Sequence, residues 1–375
     1  MRSFTLGRVW GIPIRINISL IVFIPILAWL IGSGEQIAFY TELIEAIAPV
    51  TLDAADLAGQ RWTVGILAAL GLFLSVAVHE LGHAYVAMRY GIGVESITLW
   101  ILGGLARLSE FPKEWNREFW IAVAGPATSV LFAGVCLAAL SVIPSSAPVL
   151  VFVVGWLAVT NVVLTVFNML PAFPMDGGRV LRALLARSRP YGTATRLAAG
   201  VGKVFAVLFA ITGIFVVFSP ILLLLAFFIY GAASSESRMA VMGDLLEGLT
   251  VGDLLIDTQG VSTDTTVDHL FPRLLSARRS DLPVVDRDDR IIGAVTASTI
   301  RSIETEDYPT TRVDSLVTTD LPRLSATMDA FDALMELAQA EADVAFVEQD
   351  GETVGLISQA DFGTALGFRQ GNEPF

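Results

Sequence analysis

Between Ile16 and Gly231 the chain is dominated by apolar stretches of membrane-crossing length, and these restrict what it can fold into. Lipid offers a backbone no hydrogen-bond partners, so a crossing segment must satisfy its own amide groups, as a helix does. Ile16 to Gly32, Trp62 to Met88, Phe119 to Val142 and Val149 to Phe167 each have the length for this, since about 17–25 residues suffice. Val201 to Gly231 is broken at Ser219-Pro220. It reads as one kinked span or, as favoured here, a tight helical hairpin with a short second arm, making about six transmembrane segments.

Charge divides the chain. Hydrophobic residues make up 54% of it, yet its formal net charge is −13. Residues 236–375 hold 10 basic and 26 acidic residues, whereas residues 1–235 hold 14 and 11. An α-helical polytopic membrane domain over 1–235, a linker over 236–246 and a soluble α/β region beyond are therefore expected. The acidic tail argues against a nucleic-acid partner. The sole cysteine, Cys136, lies mid-span, so no intrachain disulfide is available. His269 precedes a helix of the soluble region and reads as an ordinary residue.

Loop charges orient the spans. Arg2, Arg8 and Arg15 precede the first one, while Glu35, Glu42, Glu45, Asp53 and Asp56 follow it. A cytoplasmic N-terminus is expected. Arg89, Arg107, Lys113 and Arg117 then fall on the cytoplasmic side, as does the arginine-rich stretch from Arg179 to Lys203, and the uncharged loop Pro144 to Pro148 faces outward. The expected location is a multi-pass place in the cell membrane, in contact with lipid, with both the N-terminus and the soluble region in the cytoplasm.

The uncharged run Val64 to Val78 ends in His79-Glu80-Leu81-Gly82-His83. On a helix, positions i and i+4 are about 40° apart in rotation and about 6 Å in rise, so both imidazoles face one point and can share a tetrahedral Zn²⁺. Glu80, roughly 100° further round, can reach a water there without taking a metal position. Two histidines hydrogen-bonded inside a helix bundle would share this pattern, so a third ligand decides. Asn168-Met169-Leu170-Pro171-Ala172-Phe173-Pro174-Met175-Asp176-Gly177-Gly178 supplies a candidate. Its two prolines end a regular helix and its glycine pair permits positive φ, so the chain can unwind and aim Asp176 back at the metal. Asp176 as a helix N-cap is the plainer alternative. Burying Glu80 and Asp176 costs roughly 5–7 kcal/mol, against about 10–16 kcal/mol gained by zinc in peptide sites.

These motifs resemble the site-2 protease family, the membrane zinc metalloproteases of regulated intramembrane proteolysis. His79 to His83 matches the family's H-E-x-x-H helix, Asn168 to Gly177 its N-x-x-P-x-x-P-x-D-G segment, and Gly125-Pro126-Ala127-Thr128-Ser129 its looser helix-packing motif. The resemblance implies one zinc ion on His79, His83 and Asp176, Glu80 as the catalytic general base, and Asn168 holding substrate backbone or the developing oxyanion. It implies endopeptidase action on a transmembrane protein substrate. In such proteases a segment like Gly93 to Leu108 forms a membrane-dipping strand or loop. Ser96 to Leu102 either offers a strand edge to an unwound substrate or is a plain connection.

The soluble region is duplicated. Val251-Gly252-Asp253-Leu254 and Val313-Asp314-Ser315-Leu316 open two units with a period of about 62 residues, each continuing through a helix and two apolar strands. The units, 247–308 and 309–368, resemble a tandem pair of CBS domains, βαββα regulatory modules. That resemblance implies an adenosine nucleotide held between the repeats, with Ser358 and Asp361 of Ser358-Gln359-Ala360-Asp361 as ribose-binding residues. Thr296-Ala297-Ser298-Thr299 lacks the acid in the first repeat, so one ligand is expected, with Arg278 and Arg279 offsetting the acidic surroundings. A pair that only forms a homodimer or packs on the membrane domain stays open. So does a different reading of the whole chain as a CBS-regulated ion transporter or channel, in which the buried histidines and Asp176 line an ion path.

Overall fold

A computed structural model describes residues 3–101, 103–109, 114–256, 258–277 and 281–369. Arg2, Leu102, Lys113, Arg278 and Arg279, to which the sequence assigns roles, lie outside the described residues. The chain divides into two compact units, Met1–Arg238 and Met239–Phe375.

The first unit begins with strands, which the sequence did not announce. β1 (Ser3–Val9) and β2 (Ile12–Asn17) form a hairpin whose two-residue turn places Trp10 and Gly11 at positive φ, as the right-handed twist of paired strands favours. Asn17 then caps α1 (Ile18–Ile31) by accepting from the Ser19 amide. α1 stops at Gly32, and α2 (Gly34–Ile47) leaves at a bend of 71°. The expected unbroken span from Ile16 to Gly32 is thus a shorter helix, and the supposed loop behind it holds α2 and α3 (Ala54–Ala58). The cause is packing: a Cβ on Gly32 would stand 2.4 Å from the Arg61 carbonyl oxygen, so the chain must turn there against the next helix.

α4 (Arg61–Arg89) is the long helix that carries the histidine motif. Its Gly65 lets Ala28 of α1 approach, since a Cβ would sit 2.0 Å from the Ala28 carbonyl oxygen, and small residues at such crossings allow the van der Waals packing that joins helices in lipid. β3 (Val94–Trp100) and β4 (Gly103–Leu108) follow as a hairpin. β3 pairs in parallel with β2, giving a four-stranded sheet ordered β1-β2-β3-β4 with β4 at its edge. Ser96 to Trp100 is thus strand, but β3 is paired on both sides, so the free edge expected at Ser96 to Leu102 falls to β4 instead.

α5 (Trp115–Leu140) and α6 (Pro148–Asn168) come next, then an irregular stretch over 169–175, α7 (Asp176–Ala186), α8 (Tyr191–Phe215) and α9 (Pro220–Leu246). α8 and α9 are separate helices, as the favoured hairpin requires, but the second arm is long. Residues 236–246, expected as a linker, form the last turns of α9. Among the described residues five helices, α4, α5, α6, α8 and α9, are long and apolar enough to cross a membrane, and the bent pair α1 and α2 makes a sixth if it acts as one span.

The second unit repeats one topology. After α10 (Val251–Leu254), β5 (Val261–Ser262), α11 (Val267–Ala277), β6 (Asp281–Val285), β7 (Ile291–Thr296) and α12 (Ala297–Arg301) form the first copy. β8 (Arg323–Ser325), α13 (Ala330–Gln339), β9 (Val344–Gln349), β10 (Glu352–Ser358) and α14 (Gln359–Arg369) form the second. In each three-stranded sheet the first strand pairs in parallel with the second across a helix, and the second pairs antiparallel with the third. Leu270, Leu282, Val284 and Val295 fill the first core, and Leu334, Leu337, Val347 and Ile357 the second.

Candidate metal centre

His79 and His83 lie one turn apart on α4, and both are buried. Their rings face Asp176, also buried, in the first turn of α7. His79 Nε2 stands 3.1 Å from Asp176 Oδ2, His83 Nε2 stands 3.3 Å from the same oxygen, and the two ring nitrogens are 3.2 Å apart. Among the described residues this is the one cluster of three such ligands able to share an ion.

The outer faces of the rings fix what the inner faces offer. His83 Nδ1–H donates to the Ile121 carbonyl oxygen at 2.6 Å, so in the neutral ring Nε2 is a lone pair. His79 Nδ1 lies 2.9 Å from Ser129 Oγ. Two ring nitrogens and a carboxylate oxygen therefore converge: without an ion, a ring N–H of His79 facing Asp176 Oδ2 holds them together, and with its proton gone all three atoms offer lone pairs to a cation. The size of the triangle also suits a metal ion. Bonds of about 2.0–2.1 Å in a tetrahedron put ligands about 3.3–3.4 Å apart, close to all three separations here. The donor set and its dimensions fit zinc.

α5 backs the cluster and is held close by small residues. A Cβ on Gly125 would come within 2.2 Å of His83 Nε2 and 2.7 Å of His79 Nε2, and one on Gly82 within 2.3 Å of Thr128 Oγ1. The stretch from Gly125 to Ser129 reads in the sequence as helix packing, but it also makes room for both imidazoles and supplies a partner for one of them. Ser129 and Ile121 were not singled out. Nothing local marks a serine or a carbonyl as a histidine's partner across 50 or 38 positions of chain.

Asp176 reaches the cluster by a route that differs from expectation in one respect. The chain does unwind between α6 and α7, but Gly177 and Gly178 belong to α7 and are not at positive φ. They serve close approach. A Cβ on Gly177 would lie 2.3 Å from the Leu170 carbonyl oxygen, and one on Gly178 would lie 2.8 Å from Ala172 and Phe173 backbone atoms. Nor is Asp176 the N-cap, a position that Met175 holds without a side-chain bond.

Glu80 is half-buried beside the histidines, and β4 runs against it: a Cβ on Gly104 would meet Glu80 Cγ at 2.3 Å. Asn168 ends α6, half-buried, with no side-chain hydrogen bond among the described residues. Ser358 and Asp361 are far along the chain in the second unit, and both are buried. Asp361 Oδ2 accepts from the Ser358 amide at 2.8 Å and its hydroxyl at 2.9 Å, at the start of α14. Neither residue lines that unit's cavity of about 580 Å³, which is bounded by Thr296, Ser298, Thr299, Asp320, Glu341 and Asp343, among others.

Comparison with known proteins bears on the whole chain. The model of Peptidase family M50 matches residues 67–151 and 141–209, and the CBS domain matches residues 257–305. Rip3 of Mycobacterium tuberculosis is 30% identical over 378 residues, spanning 96% of this chain and 91% of its own. A zinc metalloprotease of Methanocaldococcus jannaschii is 29% identical over 371 residues, spanning 97% and 96%. The solved site-2 protease of that organism is 32% identical, covers 63% of this chain and 96% of its own, and superposes with a TM-score of 0.43. A membrane bundle carrying a zinc-sized donor set and followed by CBS repeats thus has its place among known enzymes: the chain belongs to Peptidase family M50, as an intramembrane zinc metalloprotease.

Proposed function

We propose that His79, His83 and Asp176 hold one zinc ion, that Glu80 is the general base, and that a transmembrane substrate is cleaved at this point after unwinding beside β4. The observation that supports the assignment is the triangle of potential ligand atoms with edges of 3.1, 3.2 and 3.3 Å. Bound there, zinc supplies Lewis acidity, bringing the pKa of a water toward neutrality and polarising the scissile carbonyl. The chain's own residues do the rest. Glu80 takes the proton of the attacking water and returns it to the peptide nitrogen as the C–N bond breaks, so one water is consumed per bond. A helical substrate presents carbonyls already hydrogen-bonded to its own backbone, and the open edge of β4 offers an extended chain new partners beside Glu80. Asn168, at the end of α6, has its amide available to hold substrate backbone or the developing oxyanion.

The sidedness follows from the basic residues. Arg8, Arg15, Arg89, Arg107 and Arg117 flank the spans at the ends that the charge pattern assigns to one face, so we place the N-terminus, the metal centre's water access and the CBS unit in the cytoplasm. In that unit an adenosine nucleotide regulating cleavage fits the cavity bounded by Thr296, Thr299 and Asp343, a volume ordinary for such ligands. Ser358 and Asp361 act there as a local brace for α14.

The test is cleavage of a model transmembrane peptide by the purified protein and by Glu80→Gln. Loss of a general base lowers kcat by about 10²–10⁴-fold with zinc content unchanged. Equal turnover by the two proteins would end the assignment of Glu80.

A further inference from the structure

Arg182 is a buried cation in the half of the molecule that crosses the membrane, on the same helix as Asp176. Its Nε–H donates to Glu118 Oε1 at 2.7 Å, Nη2 lies 2.5 Å from that oxygen, and Nη1–H donates to Glu236 Oε2 at 3.0 Å. The guanidinium carbon is 5.0 Å from the ring centroid of Phe173 and 5.0 Å from that of Tyr191. Five parts of the fold meet on one side chain: α7 itself, α5 through Glu118, α9 through Glu236, α8 through Tyr191, and the irregular stretch through Phe173.

Three of these connections bracket the metal centre. Phe173 lies just ahead of Asp176, and Arg182 lies beyond it on α7, so the stacked guanidinium ties together the chain entering and leaving the carboxylate. Glu118 sits one turn ahead of Ile121 on α5, the residue whose carbonyl holds His83. The Arg182–Glu118 pair therefore joins the helix that backs the histidines to the helix that brings the third ligand. Simple neutralisation of Glu118 would not need this arrangement. A lysine supplies a point charge, whereas the planar guanidinium serves two carboxylates in a fixed fork while stacking on rings. Among the described residues Glu118 Oε2 has no hydrogen-bond partner, and the carboxylate meets Arg182 through its other oxygen.

We propose that Arg182 is a positioning residue for the metal centre: forked between Glu118 and Glu236 and packed over the rings of Phe173 and Tyr191, it fixes the start of α7 so that Asp176 completes the triangle with the two histidines. The inference rests on the reading of His79, His83 and Asp176 as zinc ligands. It separates geometry from charge, which makes it testable.

The experiment measures zinc affinity by chelator competition, the visible spectrum after Co²⁺ substitution, and kcat and KM, all on full-length protein in detergent. Arg182→Lys keeps the buried charge, and Arg182→Met combined with Glu118→Gln removes the fully buried pair together, leaving only the partly exposed Glu236 without its partner. Both are expected to bind zinc about 10–100-fold more weakly, as losses around ligating groups do. The Co²⁺ bands should shift and kcat fall while KM holds. Wild-type zinc affinity with unshifted bands in the neutral double variant would overturn the proposal, leaving Arg182 as a counter-charge only. Asp176→Asn distinguishes the two levels. If it too leaves zinc affinity unchanged, the ligand reading fails; if it weakens binding while the Arg182 variants do not, the positioning inference alone fails.

Discussion

Gly125→Ala adds one methyl group at the place where α5 passes the histidines. The new Cβ would lie 2.2 Å from His83 Nε2 and 2.7 Å from His79 Nε2, the two nitrogens that face the metal. Ordinary carbon–nitrogen contact needs about 3.4 Å or more, so helix or rings must yield by about 1 Å. Overpacking of this kind costs about 1–3 kcal/mol of stability. The functional cost is larger, because a displacement of about 1 Å at a reacting centre lowers rate by about 10²-fold. Gly134→Ala on the same helix is the matched control, since nothing lies within 4 Å of its Cβ. There the change is expected to be neutral or to stabilise by about 0.5–1 kcal/mol. The assay is zinc per protein by mass spectrometry after gel filtration, alongside cleavage of a transmembrane peptide. Full zinc and activity within about threefold of wild type for Gly125→Ala would refute the claim that α5 is seated on the metal-facing nitrogens.

Other consequences separate parts of the site. Ser129→Ala removes the oxygen beside His79 Nδ1 and is expected to weaken zinc binding by about 10–100-fold, read by chelator competition. Gly104→Ala forces β4 away from Glu80 and should lower kcat with zinc content intact, the opposite pattern to Gly125→Ala. In the second unit, the Thr250 amide and hydroxyl hold the Asp253 carboxyl below its ordinary range. A depressed carboxyl stabilises above its unfolded pKa of about 3.9 and loses that contribution as pH falls through the folded value, so Asp253→Asn should flatten the acid limb of the melting profile.

What could be read from the residues alone was what repeats locally. The turn-spaced pair His79 and His83, the prolines ahead of Asp176 and the duplicated strands near Val284 and Phe346 each show a short period or a break, and each appears in the fold. What stayed hidden depends on contact through space. The β1 and β2 hairpin was masked by arginines that read as a cytoplasmic flank, and its pairing with β3 joins residues such as Ile14 and Ile97. Gly125, Gly104 and Gly177 look alike in sequence, yet one clears an imidazole, one clears a carboxylate and one clears a carbonyl. Arg182 looked like one of several basic residues marking a membrane flank until its two carboxylates and two rings were located. Ser358 and Asp361, whose spacing matches a ligand motif, are also a buried hydrogen-bonded pair, which the spacing alone does not show.

The central claim is that two helices and a proline-broken segment bring three side chains to one zinc ion. X-ray absorption at the zinc edge of the purified protein tests it most directly. The account expects a shell of nitrogen and oxygen only, at about 2.0–2.1 Å, with the scattering of two imidazoles, and a changed shell in Asp176→Asn. A shell that holds fewer than two imidazoles, or one identical in wild type and Asp176→Asn, would contradict it.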